Sequence, residues 1–286
     1  MNLRARMSSA LAHGLLGAAA LLTLAPFAYL VCGAFKTRDA FFSAHFLPRG
    51  AGALGVDWGG LTLDHLARLF SDPSLRFGAS LLNSVFYASV SGVLATLCAA
   101  MGGYALARFA FRGRAAVTAL VLGALIVPAP LLLAPGYALV HRLGLLDTFA
   151  GLILPGLAPA FGVYLFRQAM LNAVPPDLLE AARMDGCGEV RLFFEIVLPL
   201  CRPMLGAFLL ITFIGAWNNF IGPQIILQSP ERFPLAVALA QVKGIYGTDY
   251  GLLMAGTLVS ILPVMALFIG LQREFIAGLT SGAVKG

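Results

Sequence analysis

Marking every Asp, Glu, Lys and Arg along the 286 residues leaves six long stretches with no formal charge. They lie between Arg6 and Lys36, Arg76 and Arg108, Arg114 and Arg142, Asp147 and Arg167, Arg202 and Glu231, and Asp249 and Arg273. Each reaches the length of about 18 residues with which a helix crosses about 30 Å of hydrocarbon. The pattern predicts six transmembrane helices, over about 12–34, 80–104, 116–139, 149–170, 204–226 and 251–271. A membrane barrel would instead show alternating segments of about ten residues, and a soluble α/β enzyme would not repeat apolar windows of this length. The expected fold class is all-α integral membrane, with residues 1–286 forming a single transmembrane domain.

Within those windows the apolar pattern has internal features. The first helix contains Pro26, which a membrane helix tolerates where neighbours satisfy the freed carbonyl, and a kink is expected there. The second carries small residues at fourfold spacing, Ser84, Ala88, Gly92, Thr96 and Ala100, beside Ser91, Ala95, Ala99 and Gly103. Such rows let helix backbones approach closely and predict a central position in a bundle. Pro128, Pro130 and Pro135 break the third helix, and Pro155 and Pro159 the fourth. Between the first two helices, about 36–78 forms a long external loop. In it, Leu61 to Phe70 reads as a short amphipathic helix starting after Thr62 or Asp64, placed to rest on the membrane or to meet an extracytoplasmic partner.

Composition agrees with a lipid solvent: 59% of residues are hydrophobic and 11% charged, against about 25% charged in soluble domains. The net charge of +6 comes from basic residues scattered through the connections, so it signals topology rather than a nucleic-acid surface. Basic residues favour the connections that share a side with the termini, and most of the others sit in the long first loop. The positive-inside rule therefore predicts both termini in the cytoplasm. Arg4 and Arg6 precede an apolar run too long for a typical signal peptide and ended by no Ala-x-Ala site, so an uncleaved first helix is expected. Cys32, Cys98, Cys187 and Cys201 imply no disulfide framework. His13, His45, His65 and His141 have no metal-ligand spacing and read as structural or surface residues.

The connection between helices four and five, about 174–200, is too long and too patterned for a turn. Val174-Pro175-Pro176-Asp177 fixes an extended entry. Asp177 is expected as N-cap, with Glu180 completing a capping-box-like pair, and a helix follows over about 178–185. Gly186, with Gly188 close behind, supplies the left-handed residue that ends it. A second helix, about 189–198, is expected to stop at Leu198-Pro199. The product is a cytoplasmic helix-turn-helix exposing Glu180, Arg183 and Asp185, with small side chains at Ala181 and Ala182: a compact knob for another protein's cleft.

Glu180-Ala181-Ala182, three residues, Gly186, nine residues, then Ile196-Val197-Leu198-Pro199 resembles the EAA motif of the permease subunits of ATP-binding-cassette (ABC) importers. The likeness covers most of the chain and points to the MalG-like branch, inner-membrane components of binding-protein-dependent carbohydrate importers. Asn83-Ser84, Arg108-Phe109-x-Phe111-Arg112-Gly113, Trp217-Asn218-Asn219, Tyr246-Gly247-Thr248-Asp249-Tyr250-Gly251 and the Gly278–Gly286 tail all resemble it. Asn219 stands where an acidic residue is common in the family. The resemblance implies a permease that forms half of a carbohydrate pathway in the bacterial inner membrane. Its implied partners are a second homologous permease, two ATP-binding subunits, an extracytoplasmic solute-binding protein and membrane lipid. The ATPase-coupling residues it implies are Glu180, Ala181, Ala182, Asp185, Gly186, Ile196, Leu198 and Pro199.

No Gly-x-x-x-x-Gly-Lys-Ser/Thr loop precedes Lys36, Lys243 or Lys285, so ATP and Mg belong to partner subunits, and neither a cofactor nor catalysis is expected in this chain. Trp217, Asn218 and Asn219 in helix five are candidates for the substrate path, because amides within a membrane segment must face protein or water. The same groups can equally join helices by hydrogen bonds; Tyr104 and Gln224 are weaker candidates. Permeation of another polar solute is an alternative. A secondary transporter is another, but it would need intramembrane ionisable residues, which these windows lack apart from His13 and His141 near their ends.

Overall fold

The computed structural model describes residues 3–244 and 247–283, with side chains over 11–242 and 249–278. Tyr246 and residues 284–286, on which parts of the family resemblance fall, lie outside the described residues. The chain divides into two compact units, 1–78 with 238–262 and 79–237 with 263–286. Among the described residues, three helices are long and apolar enough to span a membrane, and three bent helix pairs pass the same test together.

In the first unit, α1 (Leu3–Phe35) continues as one helix through Pro26, and none of its apolar window is buried within the chain. Its cover must come from lipid or another chain. The following loop folds back on the end of α1. Lys36 bridges Leu61, and the buried Lys36 ammonium donates to the carbonyls of Ala44 and His45 at 2.5 and 3.2 Å. These bonds supply what a charge removed from water requires.

Helix α2 (Asp64–Ser71) is the amphipathic element expected in this loop. Leu63 is its N-cap by backbone geometry, while the Thr62 hydroxyl accepts the Asp64 N–H at 3.0 Å. Its buried side chains are His65 and Leu69. A ring nitrogen of His65 lies 3.0 Å from the Lys36 carbonyl oxygen, and Arg68 pairs with Asp249 at 3.0 Å. His65 thus has a packing role, as its isolation in sequence suggested.

The second unit is organised around α3 (Phe77–Arg108). The small-residue rows do what their spacing predicts: Ser84, Ala88, Ala95, Thr96, Ala99 and Ala100 are buried. At Gly103 the approach is so close that an added Cβ would lie 2.6 Å from the Cβ of Phe166. Helix α4 (Arg114–Ala124) and the stretch Ala129–Arg142, which ends in α5 (Leu133–Arg142), are bent by 105° at a break that closes on Pro128. Helices α6 (Phe149–Ile153) and α7 (Ala160–Ala173) belong to a pair bent by 45° at Pro155 and Pro159. Both breaks fall at expected prolines, but Pro135 makes no break: it lies in the first turn of α5, where its missing N–H removes no intrahelical bond.

The fifth apolar stretch differs from its expected extent. Helix α11 occupies Arg202–Trp217, and a separate short helix α12 occupies Ile221–Ile226. The sixteen residues of α11 rise only about 24 Å. Asn218 closes α11 and Pro223 cannot donate to a helical ladder continued through the break. Short helix α13 (Leu235–Gln241) and a two-residue antiparallel pair, β1 (Lys243–Gly244) with β2 (Gly247–Thr248), lead to α14 (Tyr250–Ala283). Helix α14 runs beyond its expected end, past Arg273. Glu274 there packs on Gly206 and pairs with Arg202 at 3.2 Å, so the charge next to the end of the apolar window has a partner inside the unit.

Candidate coupling segment and pathway residues

The segment after α7 is shaped first by its prolines. Val174 and Pro175 are extended (ψ 105° and 137°), the conformation imposed on a residue before proline. Helix α8 (Pro176–Met184) then starts with Pro176 at its first position and Pro175 as N-cap, with no side-chain capping bond. The expected cap at Asp177 is therefore corrected by two residues, to Pro175: Asp177 lies inside the first turn, and with no side-chain cap Glu180 completes no capping box. There its carboxylate lies near the positive end of the helix dipole, and proline at the first position removes one of the orphan N–H groups of the first turn.

The C-terminus of α8 follows the sequence expectation. Gly186 has φ +83°, its N–H donates to Arg183 O, and the Cys187 N–H donates to Ala182 O, both at 3.0 Å. This is the bonding of a Schellman turn. Arg108, at the end of α3, braces the entry by donating to the carbonyls of Met170 (2.8 Å) and Val174.

The chain then reverses into α9 (Glu189–Leu192), a π-helical turn over Phe193–Val197 and α10 (Leu198–Leu200). The expected stop at Leu198-Pro199 moves to Cys201, where the helix turns by 83° into α11. The π turn explains why Pro199 is passed, since its wider ladder already departs from i→i−4 bonding just before the proline.

Leu179, Leu192, Phe193 and Val197 are buried in one core with Tyr104, Phe166 and Met170. Glu180, Ala181, Asp185, Gly186 and Pro199 are exposed, while Ile196 and Leu198 are half-buried against that core. Ala182 differs from expectation: it is half-buried and packs inward. The presented surface is thus Glu180, Ala181 and Asp185, with Met184 88% exposed beside them.

The pathway candidates separate. Trp217 is buried and stacks on Phe213, centroids 5.6 Å apart at 15°. Asn219 is half-buried, its amide donating to the Tyr87 hydroxyl and its carbonyl accepting the Gly222 N–H, each at 3.1 Å. It also borders a cavity of about 150 Å³ with Tyr87, Tyr137 and Pro155. Asn218 and Gln224 are exposed. Tyr104 lies elsewhere: it is buried, and its hydroxyl donates to Glu189 at 2.9 Å, which places it with the coupling segment.

A larger cavity, about 550 Å³, has Tyr164, Gln168 and Asn172 of α7 facing Met204 and Phe208 of α11. Sequence reasoning missed these polar residues. Their spacing of four along a helix whose one other polar side chain is Arg167, one stripe of a helical surface, was the available signal.

Residues 92–276 match the family of binding-protein-dependent transport system inner membrane components. The chain belongs to this family. The matched region contains the whole of α8 through α12. Among relatives, the arabinooligosaccharides transport system permease protein AraQ of Halalkalibacterium halodurans is 42% identical over 229 residues, covering 79% of this chain and 80% of that protein. The lactose transport system permease protein LacG of Rhizobium radiobacter is 33% identical over 286 residues, covering 99% of each. In fold, the chain resembles a bacterial ABC transporter involved in the import of the acidic polysaccharide alginate, with TM-score 0.81 and 24% identity over 96% of this chain and 99% of that one.

Proposed function

We propose that this inner membrane component is the permease subunit of an ATP-driven carbohydrate importer, and that its 174–200 segment is the docking element for a separate ATPase subunit. The relatives transport arabinooligosaccharides and lactose by name, and the reading extends that class to this chain. The single observation that carries the docking role is the shape of the segment. An apolar underside is sunk in the core, Glu180 and Ala181 stand outward, and the turn between them and α9 needs a left-handed Gly186.

In this reading the chain acts as one transmembrane domain with six spans, the fifth beginning at α11 after the docking segment, and both termini are cytoplasmic. Paired with a second homologous permease, it encloses half of the path. Two ATP-binding subunits holding ATP and Mg meet the coupling segments, and a solute-binding protein delivers the carbohydrate outside. The chain is non-catalytic. ATP shifts the membrane helices because its binding changes how the docked segment is held, and only such differential contact can move a conformational equilibrium.

The test is Gly186→Val in the complete complex. The variant should insert at parental levels and lose solute-stimulated ATPase activity or its ATPase partners. Parental transport, co-purification and stimulated ATPase together would overturn the docking role. Purified alone, the parent chain should turn over no ATP; turnover would remove the non-catalytic assignment.

A further inference from the structure

The turn from Asp185 to Gly188 joins the exposed half of the coupling segment to its buried half, and four residues around one left-handed glycine would make a hinge. Side chains close it. Glu189, the first residue of α9, accepts from the Arg183 Nε at 2.7 Å through one carboxylate oxygen. Its other oxygen accepts from the Tyr104 hydroxyl at 2.9 Å. Arg183 belongs to the last turn of α8 and Tyr104 to α3. One carboxylate therefore links both sides of the turn to a membrane helix.

The Tyr104 end is fixed. Its ring is buried, tilted against Phe193 with centroids 5.4 Å apart and edge-on to Phe109 at 5.4 Å. The Arg183 end is exposed, and ion pairs of that kind contribute little to stability. What distinguishes this pair is the third partner, since a hydroxyl donating to an ionised carboxylate makes a directional, charge-assisted link. The bond from Arg183 holds the Glu189 carboxyl below its usual range and the Arg183 guanidinium above its own, so both remain charged at neutral pH.

We propose that Glu189 is a positioning residue that ties α8 to α3 through Arg183 and Tyr104, so that movement of the docked Glu180 surface reaches the membrane helices without being absorbed in the Gly186 turn. This rests on the docking role proposed above. None of the three residues is among the defining positions of the Glu-Ala-Ala motif, and the tie acts inside the chain rather than at the ATPase surface.

The experiment uses the complete complex in proteoliposomes with its solute-binding protein, and reads carbohydrate delivered per ATP hydrolysed. Glu189→Ala should lower that ratio about fivefold, the low end of typical site-to-site coupling, with the ATPase subunits still co-purifying. Tyr104→Phe, which removes one hydroxyl, should lower it in the same direction. Glu189→Gln keeps an acceptor for Arg183 and an amide for the Tyr104 oxygen and should recover most of the ratio. The exchanged pair Arg183→Glu with Glu189→Arg should exceed either single variant. A parental ratio in both Glu189→Ala and Tyr104→Phe, with the ATPase subunits bound, overturns the tie and leaves the docking role standing. If Glu189→Ala fails to assemble, Tyr104→Phe decides: an unchanged ratio overturns the tie and a reduced one upholds it. Failure of the docking role is read separately, from an unaffected Gly186→Val.

Discussion

Residues 174–200 and residues 217–222 both carry polar groups beside apolar helices, and they use them differently. In the first, apolar side chains are sunk in the core while Glu180, Ala181 and Asp185 stand outward with no intramolecular role apparent in their exposure. In the second, the most conspicuous groups are already engaged: Trp217 on Phe213, and Asn219 between Tyr87 and Gly222. A polar group left outward at a bonded, well-anchored turn is available to a partner. One whose hydrogen-bonding capacity is taken up internally contributes first to packing.

The largest effect belongs to the turn. Gly186 at φ +83° has nothing within 4 Å of an added Cβ, so Gly186→Val acts through the backbone and at the partner's surface rather than by an internal clash. A β-branched residue at positive φ costs about 1–3 kcal/mol. Concentrated at a two-protein contact, that should bring transport close to background while the membrane helices, which do not depend on this turn, still insert. Co-purification and solute-stimulated ATPase measured together would show it.

A smaller effect, of another kind, should follow Asn219→Leu. The substitution leaves the buried Tyr87 hydroxyl and the Gly222 N–H without their partner, at a cost of about 1–3 kcal/mol for an unsatisfied buried group. The expected result is a lower thermal midpoint of the purified complex, and Tyr87→Phe combined with Asn219→Leu should recover part of it. If Asn219→Leu lowers transport with an unchanged midpoint, Asn219 acts on the solute and the contrast between the two stretches disappears.

The same contrast explains what was legible in the sequence. Charge-free windows and prolines located three straight helices and the breaks near 128 and 155–159, because lipid and the missing proline N–H act locally. Gly186 was legible for the same reason: a turn needing positive φ selects glycine. The start of α8 shifted because two adjacent prolines override a side-chain cap. The end of α11 at Trp217 was hidden because no formal charge interrupts the stretch from Arg202 to Glu231. Tyr104 could not be joined to Glu189 by inspection, since 85 residues separate them and only packing brings them together. Nor could amide spacing alone tell Asn218 from Asn219, whose surroundings depend on Tyr87 of another helix.

The smallest effect should come from Asn218→Leu. Asn218 closes α11 through its backbone N–H to the Ile214 carbonyl at 3.0 Å, a bond that leucine also makes, and its side chain is exposed. Neither the helix end nor the local packing therefore requires the amide. If this amide faces the pathway, its loss removes about one hydrogen bond to the solute, a net of about 0.5–1.5 kcal/mol. That corresponds to a two- to tenfold change, at about 1.4 kcal/mol per factor of ten. Equal weakening of the resting and transition states should raise the solute KM and leave the maximal rate alone. The thermal midpoint should stay at the parental value, in contrast to Asn219→Leu. An unchanged KM would take Asn218 out of the pathway and leave the cavity beside Tyr164, Gln168 and Asn172 as the better place to look for carbohydrate contacts in this subunit. A lost complex would instead show that the exposed amide meets the second permease, placing Asn218 at the subunit interface.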